Sequence, residues 1–128
     1  MPGVERFLLI CLAGALGTGS RHLVGLWAAE RFGTLLPYGT LIVNLVGCFL
    51  MGLVMHVALN AAAFSPTLRL VLTTGFLGGL TTYSSFNFET LKLAGDGAFG
   101  LTALYFAATT LGGFVAGVSG VALGRAIV

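Results

Sequence analysis

The sequence predicts an all-α membrane protein with four transmembrane helices per subunit, the third of them broken in mid-membrane. Of its 128 residues, 57% are hydrophobic and only 8% are charged, whereas a soluble domain carries about 25% charged residues. Three stretches, 39–64, 70–88 and 97–124, contain no Asp, Glu, Lys or Arg. Each has about the 20 helical residues that cross a ~30 Å hydrocarbon core. A cluster of glycine and hydroxyl residues inside the second of these stretches predicts the break.

The first span, 6–29, is apolar apart from Arg21. Its opening, FLLICLAGALG, would also suit the apolar core of a cleaved signal peptide. However, Glu5 beside Arg6 leaves no positive bias before it, and apolar character resumes with HLVGLWAA. We therefore expect a retained span. Four spans then fill the chain as one domain, 1–128, at about 6–29, 38–63, 68–94 and 97–126, which predicts a multi-pass protein of the cell (inner) membrane in contact with lipid.

The remaining composition excludes several classes of function. The basic residues are single and scattered, so nothing suggests binding to nucleic acid. Cys11 and Cys48 lie inside apolar spans, where thiols act as small hydrophobic side chains. No hydrolytic triad, phosphate-binding loop or metal-ligand spacing is visible, so an enzyme is not expected.

The basic residues at the span ends are almost evenly divided between the two sides of the membrane. One side holds Arg6, Arg69 and Arg125, and the other holds Arg31, Lys92 and, if it reaches that way, Arg21. Because these residues direct insertion, a tie allows both orientations. Two inverted copies can then form an antiparallel dual-topology homodimer with a closed two-fold axis. The alternative is one orientation set by a bias not visible in the sequence. The glycine pairs of the third and fourth spans suit close helix contacts.

The third span contains GFLGGLTTYSS at 75–85, a run of poor helix formers. Interior glycine costs about 1 kcal/mol relative to alanine, and hydroxyls compete for backbone hydrogen bonds. We expect a break or kink near 78–82. Broken helices at membrane depth expose carbonyl groups that bind ions. The alternative is a flexible, small-residue packing face.

Beyond the expected break, Tyr83 and Phe86 share one helical face. Core packing is the usual role of such a pair, but hydroxyl and amide residues surround it. Glu89 follows near the expected membrane boundary, where it is either functional or a solvated or salt-bridged end residue.

Other polar residues lie within the second, fourth and first spans. Asn44 either forms hydrogen bonds that hold helices together or acts as an amide donor in a pore. Tyr105 and Thr109, four apart, form a narrow polar stripe that continues to Gly113. Arg21 is costly at depth unless it pairs or reaches the interface, and it could attract an anion.

The polar groups expected at depth are all neutral donors, with no carboxylate among them. Cation and proton pathways usually contain Asp or Glu at depth, whereas hydroxyls, amides and positive aromatic edges suit a small anion. The set comprises Asn44, Thr81, Thr82, Tyr83, Ser84, Ser85, Tyr105 and Thr109.

Three segments, GTGSRHLVG, GTLIVNLVG and GFLGGLTTYSSFNFET, resemble in order and spacing the Fluc (CrcB) family of fluoride channels. The resemblance extends over essentially the whole chain. It implies an antiparallel homodimer with two fluoride pores and a structural sodium ion at the dimer centre, with no organic cofactor. It also implies that the channel is passive and exports fluoride from a microbial cytoplasm.

Residue by residue, the resemblance implies sodium ligation by the main-chain carbonyls of Gly78 and Thr81. The fluoride pore would contain Asn44, Tyr83, Phe86, Tyr105 and Thr109, with accessory positions at Arg21, Thr82, Ser84, Ser85, Glu89 and Gly113. Three positions depart from the family pattern. Tyr83 replaces a usual phenylalanine, Thr109 replaces a more usual serine, and Gly113 replaces a common serine and so removes a donor.

Two other functions compete with a fluoride channel. A dual-topology, proton-coupled multidrug transporter needs a membrane-embedded carboxylate, but the acids of the first span, Glu5 and Glu30, stand at its two ends. A non-conducting assembly subunit would use its polar residues for packing alone. Fluoride efflux from liposomes distinguishes these alternatives.

Overall fold

A computed structural model describes residues 3–128, and these residues form helices joined by short connections. The third span is built from four short pieces, one of them a π-helical segment. In chain order the elements are α1 (Gly3–Phe32), α2 (Tyr38–Asn60), α3 (Pro66–Leu70), the π-helix (Val71–Leu77), α4 (Gly78–Leu80), α5 (Tyr83–Gly95) and α6 (Phe99–Ile127). The helical stretches 3–32, 38–60, 66–95 and 99–127 begin and end within a few residues of the four predicted spans.

The connections have local causes. Gly33 and Gly97 adopt φ values of +85° and +79°, a left-handed conformation that other residues rarely take. These two glycines end α1 and turn the chain into α6. At the start of α3, the Ser65 hydroxyl accepts a hydrogen bond from the amide of Leu68, and Pro66 occupies the first turn, where its missing N–H costs nothing.

Three described helices, α1, α2 and α6, are long and apolar enough to cross a membrane. The third span does not qualify as one helix because it is interrupted after Leu80. Much of the apolar surface of the chain is exposed: Leu12 is 64% exposed and Phe114 is 73% exposed. Such surface requires lipid or protein cover. Together these features describe a multi-pass membrane protein.

Glycines set the packing between helices. α2 packs most extensively on α6, and α1 packs on the π-helix and α4, residues 71–80. A Cβ atom on Gly79 would overlap the carbonyl of Gly14, and one on Gly52 would overlap that of Gly117. The predicted close contacts of the glycine pairs therefore form between helices of the same chain.

Candidate functional site

The third span breaks at Thr81 and Thr82, which have extended backbones between α4 and α5. This position lies inside the predicted window, 78–82. Asn44 of α2 holds the break with two hydrogen bonds. Its Nδ2 donates to the Thr82 carbonyl at 3.1 Å, and its Oδ1 accepts from the Thr82 amide at 2.8 Å. The side chain thus replaces backbone partners that the interrupted helix has lost, and one Nδ2 hydrogen lies outside this pairing.

Arg21 also contacts the break. Its Nε donates to the carbonyl of Gly79 at 3.1 Å, and the residue is half-buried. The Arg21 side chain is therefore paired with a main-chain carbonyl next to the break. The guanidinium brings positive charge to this part of the structure.

The same interruption leaves the carbonyls of Gly78 and Thr81 without their helical donors. In a continuous helix the amides of Thr82 and Ser85 would bond to them. Here the Thr82 amide bonds to Asn44, and the Ser85 amide bonds to the hydroxyl of Thr82. Carbonyl oxygens are suitable ligands for a hard cation. The two atoms are therefore available as oxygen ligands for a hard cation, because the break removes their helical donors.

Thr82, Ser84 and Ser85 form the cap of α5. The hydroxyl of Thr82 accepts from the Ser85 amide at 3.2 Å and bonds to the Ser85 hydroxyl at 3.1 Å. The Ser84 hydroxyl lies 3.4 Å from the Thr82 hydroxyl. Because the N-terminal turn of a helix has orphan amides, this cluster is accounted for by capping.

The aromatic residues of α5 and α6 differ sharply in burial. Phe86 is 4% exposed and Tyr105 is fully buried, and their ring centroids are 5.4 Å apart. Phe106 lies 5.8 Å from Phe86. Tyr83 contacts Phe86 edge-on at 5.8 Å but is 79% exposed. Within the single chain, Phe86 therefore belongs to a packed aromatic cluster and Tyr83 stands at its open side.

Glu89 is half-buried and faces two hydroxyl groups. Thr40 donates to its Oε2 at 3.2 Å and Tyr105 donates to its Oε1 at 3.4 Å. The prediction that no carboxylate lies among the buried hydrogen-bond donors is therefore wrong, because Glu89 accepts from the buried Tyr105 hydroxyl. Glu89 follows Phe86 by about one helical turn, so both side chains lie on the face of α5 that contacts the fully buried Tyr105.

Thr109 differs from the two other threonines of α6. Thr102 and Thr110 of α6 each bond to the carbonyl four residues earlier. The Thr109 hydroxyl is buried and has no hydrogen-bond partner among residues 3–128. An unsatisfied buried hydroxyl is costly, and so it points to a ligand or a partner outside the single chain.

Two cavities, which share no lining residue, border the aromatic cluster. One is a groove of about 960 Å³ between the break, α2 and α6, whose lining includes Asn44, Thr81, Thr82, Tyr83, Phe86, Thr109 and Gly113. The other is a vestibule of about 550 Å³ whose lining includes Thr40, Glu89 and Lys92. Phe86 lines the groove, Glu89 lines the vestibule, and Tyr105 contacts both residues. Hydrogen-bond donors therefore occur in the lining of the groove (Asn44), between Phe86 and Glu89 (Tyr105) and in the lining of the vestibule (Thr40).

Sequence reasoning missed Thr40 and Phe106. Thr40 precedes Asn44 by four residues and so shares its helical face, which is a signal that could have found it. Phe106 had no such signal, because its contact with Phe86 joins two helices. Gly113 lies beside Cys48, and a Cβ there would be 3.4 Å from its sulfur, so a serine would fit at that position.

Comparisons with known proteins identify the family of the chain. The family model described as "CrcB-like protein, Camphor Resistance (CrcB)" matches residues 8–121. A protein of Anaeromyxobacter sp. (strain K) named "Fluoride-specific ion channel FluC" is 48% identical over 122 residues, which cover 95% of this chain and 97% of that one. Proteins of the same name from Anaeromyxobacter dehalogenans and Acidobacterium capsulatum are 50% and 43% identical, covering 85% and 96% of this chain and 86% and 98% of the relatives. The chain belongs to the CrcB-like (Fluc) family.

Proposed function

We propose that this protein is a fluoride-selective, passive anion channel, and not an enzyme, that exports fluoride across the inner membrane. The names of its relatives support the choice of ion. The observation that carries the proposal for this chain is the Thr109 hydroxyl, which is buried and unpartnered within residues 3–128. Thr109 lines the groove together with Asn44 and Phe86.

Fluoride is small and strongly hydrated, so it crosses only where close donors replace its water. In the proposed pore, Thr109 offers its hydroxyl and Asn44 offers the Nδ2 hydrogen that does not pair with Thr82. Phe86 and Tyr83 offer ring edges, where the aromatic quadrupole is positive. A larger halide would be excluded by the packed Phe86, Tyr105 and Phe106 rings.

Tyr105 and Thr40 would carry the ion onward to the vestibule. Both hydroxyls already donate to a carboxylate oxygen of Glu89. A carboxylate oxygen is itself a compact anionic acceptor, so this contact indicates that the two donors suit a negative charge. In our proposal an arriving fluoride competes with Glu89 for these hydroxyls, and displacement of the carboxylate opens the route.

The functional unit in this proposal is an antiparallel homodimer with two pores. A second copy would cover the open groove and the exposed Tyr83, and it would give the apolar groove wall a partner. The near-even distribution of basic residues supports inverted insertion. At the two-fold axis, the released carbonyls of Gly78 and Thr81 from both copies would hold a structural sodium ion.

Liposome efflux tests the proposal directly. The purified protein is reconstituted with potassium fluoride inside, a potassium ionophore is added, and a fluoride electrode follows the release. We expect rapid release of fluoride and negligible release of chloride under the same gradient. Equal release of both ions would contradict selectivity, and absence of release would favour a non-conducting assembly subunit.

The half-buried Glu89 also favours one rival, the proton-coupled multidrug transporter, because such exchange needs an embedded carboxylate. Glu89→Gln separates the two functions. A proton-coupled exchanger would lose pH-driven uptake of a cationic dye in this variant. For a channel, neither the wild type nor the variant takes up the dye, and only the fluoride rate changes.

A further inference from the structure

The groove extends along a single row of α6. Residues four apart are neighbours on a helix surface and form a row inclined to the helix axis. The row of Thr109, Gly113, Gly117, Val121 and Arg125 lines the groove. Sixteen residues separate Thr109 from Arg125, which at 1.5 Å per residue is roughly 24 Å. The groove therefore covers most of a ~30 Å hydrocarbon core between the proposed donors and one end of the protein.

Most of this length offers nothing polar to an anion. Gly113 and Gly117 present bare backbone, and beyond them the lining consists of apolar side chains such as Met51, Val118 and Val121. Among the described residues that line the groove, Arg125 is the one that carries a charge. It lies in the last turn of α6 and is exposed.

A single cation beside a low-dielectric groove strongly raises the electrostatic potential there. Apolar walls focus the field of a charge, which raises the local concentration of the opposite ion and its rate of entry. Without this charge, an anion would meet only apolar surface and glycine backbone at this end. The position of Arg125 is thus suited to collecting anions from water.

We propose that Arg125 forms the anion-collecting mouth at one end of the ion path, acting by charge and not by packing. This inference rests on the proposed channel function. The predicted topology places Arg6 and Arg69 on the same side of the membrane as Arg125. Neither of them lines the groove, so they do not substitute for Arg125.

The test compares Arg125→Gln, Arg125→Lys and the matched control Arg69→Gln in the fluoride efflux assay. Rates are measured at about 10 mM and about 1 M of an impermeant salt, where the Debye length is about 30 Å and about 3 Å. We expect Arg125→Gln to slow efflux at low salt by at least about two-fold and to approach the wild-type rate at high salt. The efflux rates of Arg125→Lys and Arg69→Gln should remain near the wild-type rate at both salt concentrations.

A second pair of variants keeps the test independent of the folding of Arg125→Gln. Ala122 lines the same groove and is exposed, and it precedes Arg125 by one helical turn. Ala122→Asp should slow efflux at low salt, whereas the matched Ala122→Asn should not.

Two results would overturn the inference: wild-type rates for Arg125→Gln and Ala122→Asp at low salt, or a loss that high salt leaves unchanged. Failure of the proposed function is distinguishable from this, because the wild-type protein itself would then release no fluoride.

Discussion

Asn44 and Thr82, 38 residues apart, exchange two hydrogen bonds across the break in the third span, at 2.8 and 3.1 Å. The side-chain amide of one helix thereby supplies both a donor and an acceptor to the backbone of another. The interrupted helix is held by this pair, by the contact of Arg21 with Gly79 and by the Thr82 cap of α5.

Asn44→Ala should weaken both structure and transport. It leaves a part-buried amide and carbonyl of Thr82 without partners, at about 1–3 kcal/mol for each unsatisfied group. We expect a lower thermal unfolding midpoint, measured in detergent, and fluoride efflux reduced by about ten-fold or more. Asn60→Ala is the matched control, since that exposed amide bonds only to the His56 carbonyl of its own helix. Equal effects of the two substitutions would contradict the role of Asn44.

Phe86→Ile should slow fluoride efflux sharply, because the ring edge and its contacts with Tyr105 and Phe106 are lost. The residue is 4% exposed, so a loss of stability of about 1–3 kcal/mol is also expected from the change of core shape. Phe88→Ile on the same helix is the control, because Phe88 is 66% exposed. A wild-type rate in Phe86→Ile, with the protein folded, would remove this residue from the path.

Thr109→Val removes a hydroxyl at nearly constant volume. Because this hydroxyl has no partner within residues 3–128, stability should be unchanged or higher. Fluoride efflux should fall by about ten-fold if the hydroxyl replaces a water of the ion. Thr110→Val loses only a bond to the Phe106 carbonyl of its own helix, and its efflux should match the wild type. Loss of stability without loss of efflux in Thr109→Val would indicate a structural hydroxyl.

Exchange of sodium for N-methyl-D-glucamine tests the carbonyls of Gly78 and Thr81. A ligand that binds only the folded state stabilises it by about 2.7 kcal/mol at a hundred times its dissociation constant. We expect the unfolding midpoint of the purified protein to rise with sodium concentration and to respond less to potassium. An unfolding midpoint that is the same in all three salts would contradict a sodium site.

Gly79→Ala should destabilise the fold, because the new Cβ would overlap the backbone carbonyl of Gly14. Backbone cannot move aside as a flexible side chain can, and overpacking typically costs about 1–3 kcal/mol. Gly19→Ala on α1, with nothing within 4 Å of its added Cβ, should be neutral or slightly stabilising. Denaturation of both variants, followed by the loss of folded protein on gel filtration, measures the difference.

Much of the architecture follows from composition and local chemistry. Long uncharged stretches predict the spans because water cannot solvate them, and the segment 75–85 predicts the break because glycine and hydroxyl residues weaken a helix locally. These are properties of neighbouring residues, which a linear sequence contains directly. Three segments, one in each of the first three spans, were sufficient to predict the family.

Contacts between residues on different helices could not be predicted from the sequence. The sequence left Asn44 as either glue or a pore donor and gave Arg21 two roles, because each depends on residues brought together by helix packing. Glu89 is the clearest example: its position near a span end suggested a boundary residue, while in the structure it accepts bonds from Thr40 and Tyr105. The glycine pairs likewise predicted close contacts without indicating which helices would meet.

The sequence by itself therefore determined the membrane class, the four spans, the break and the family. Only the tertiary structure decided which side chains bond to the broken helix, which hydroxyl has no partner among the described residues and where the carboxylate lies. The physical reason is that hydrophobicity and helix propensity act over a few neighbouring residues, whereas burial and hydrogen-bond partners depend on helices separated by many residues in the chain.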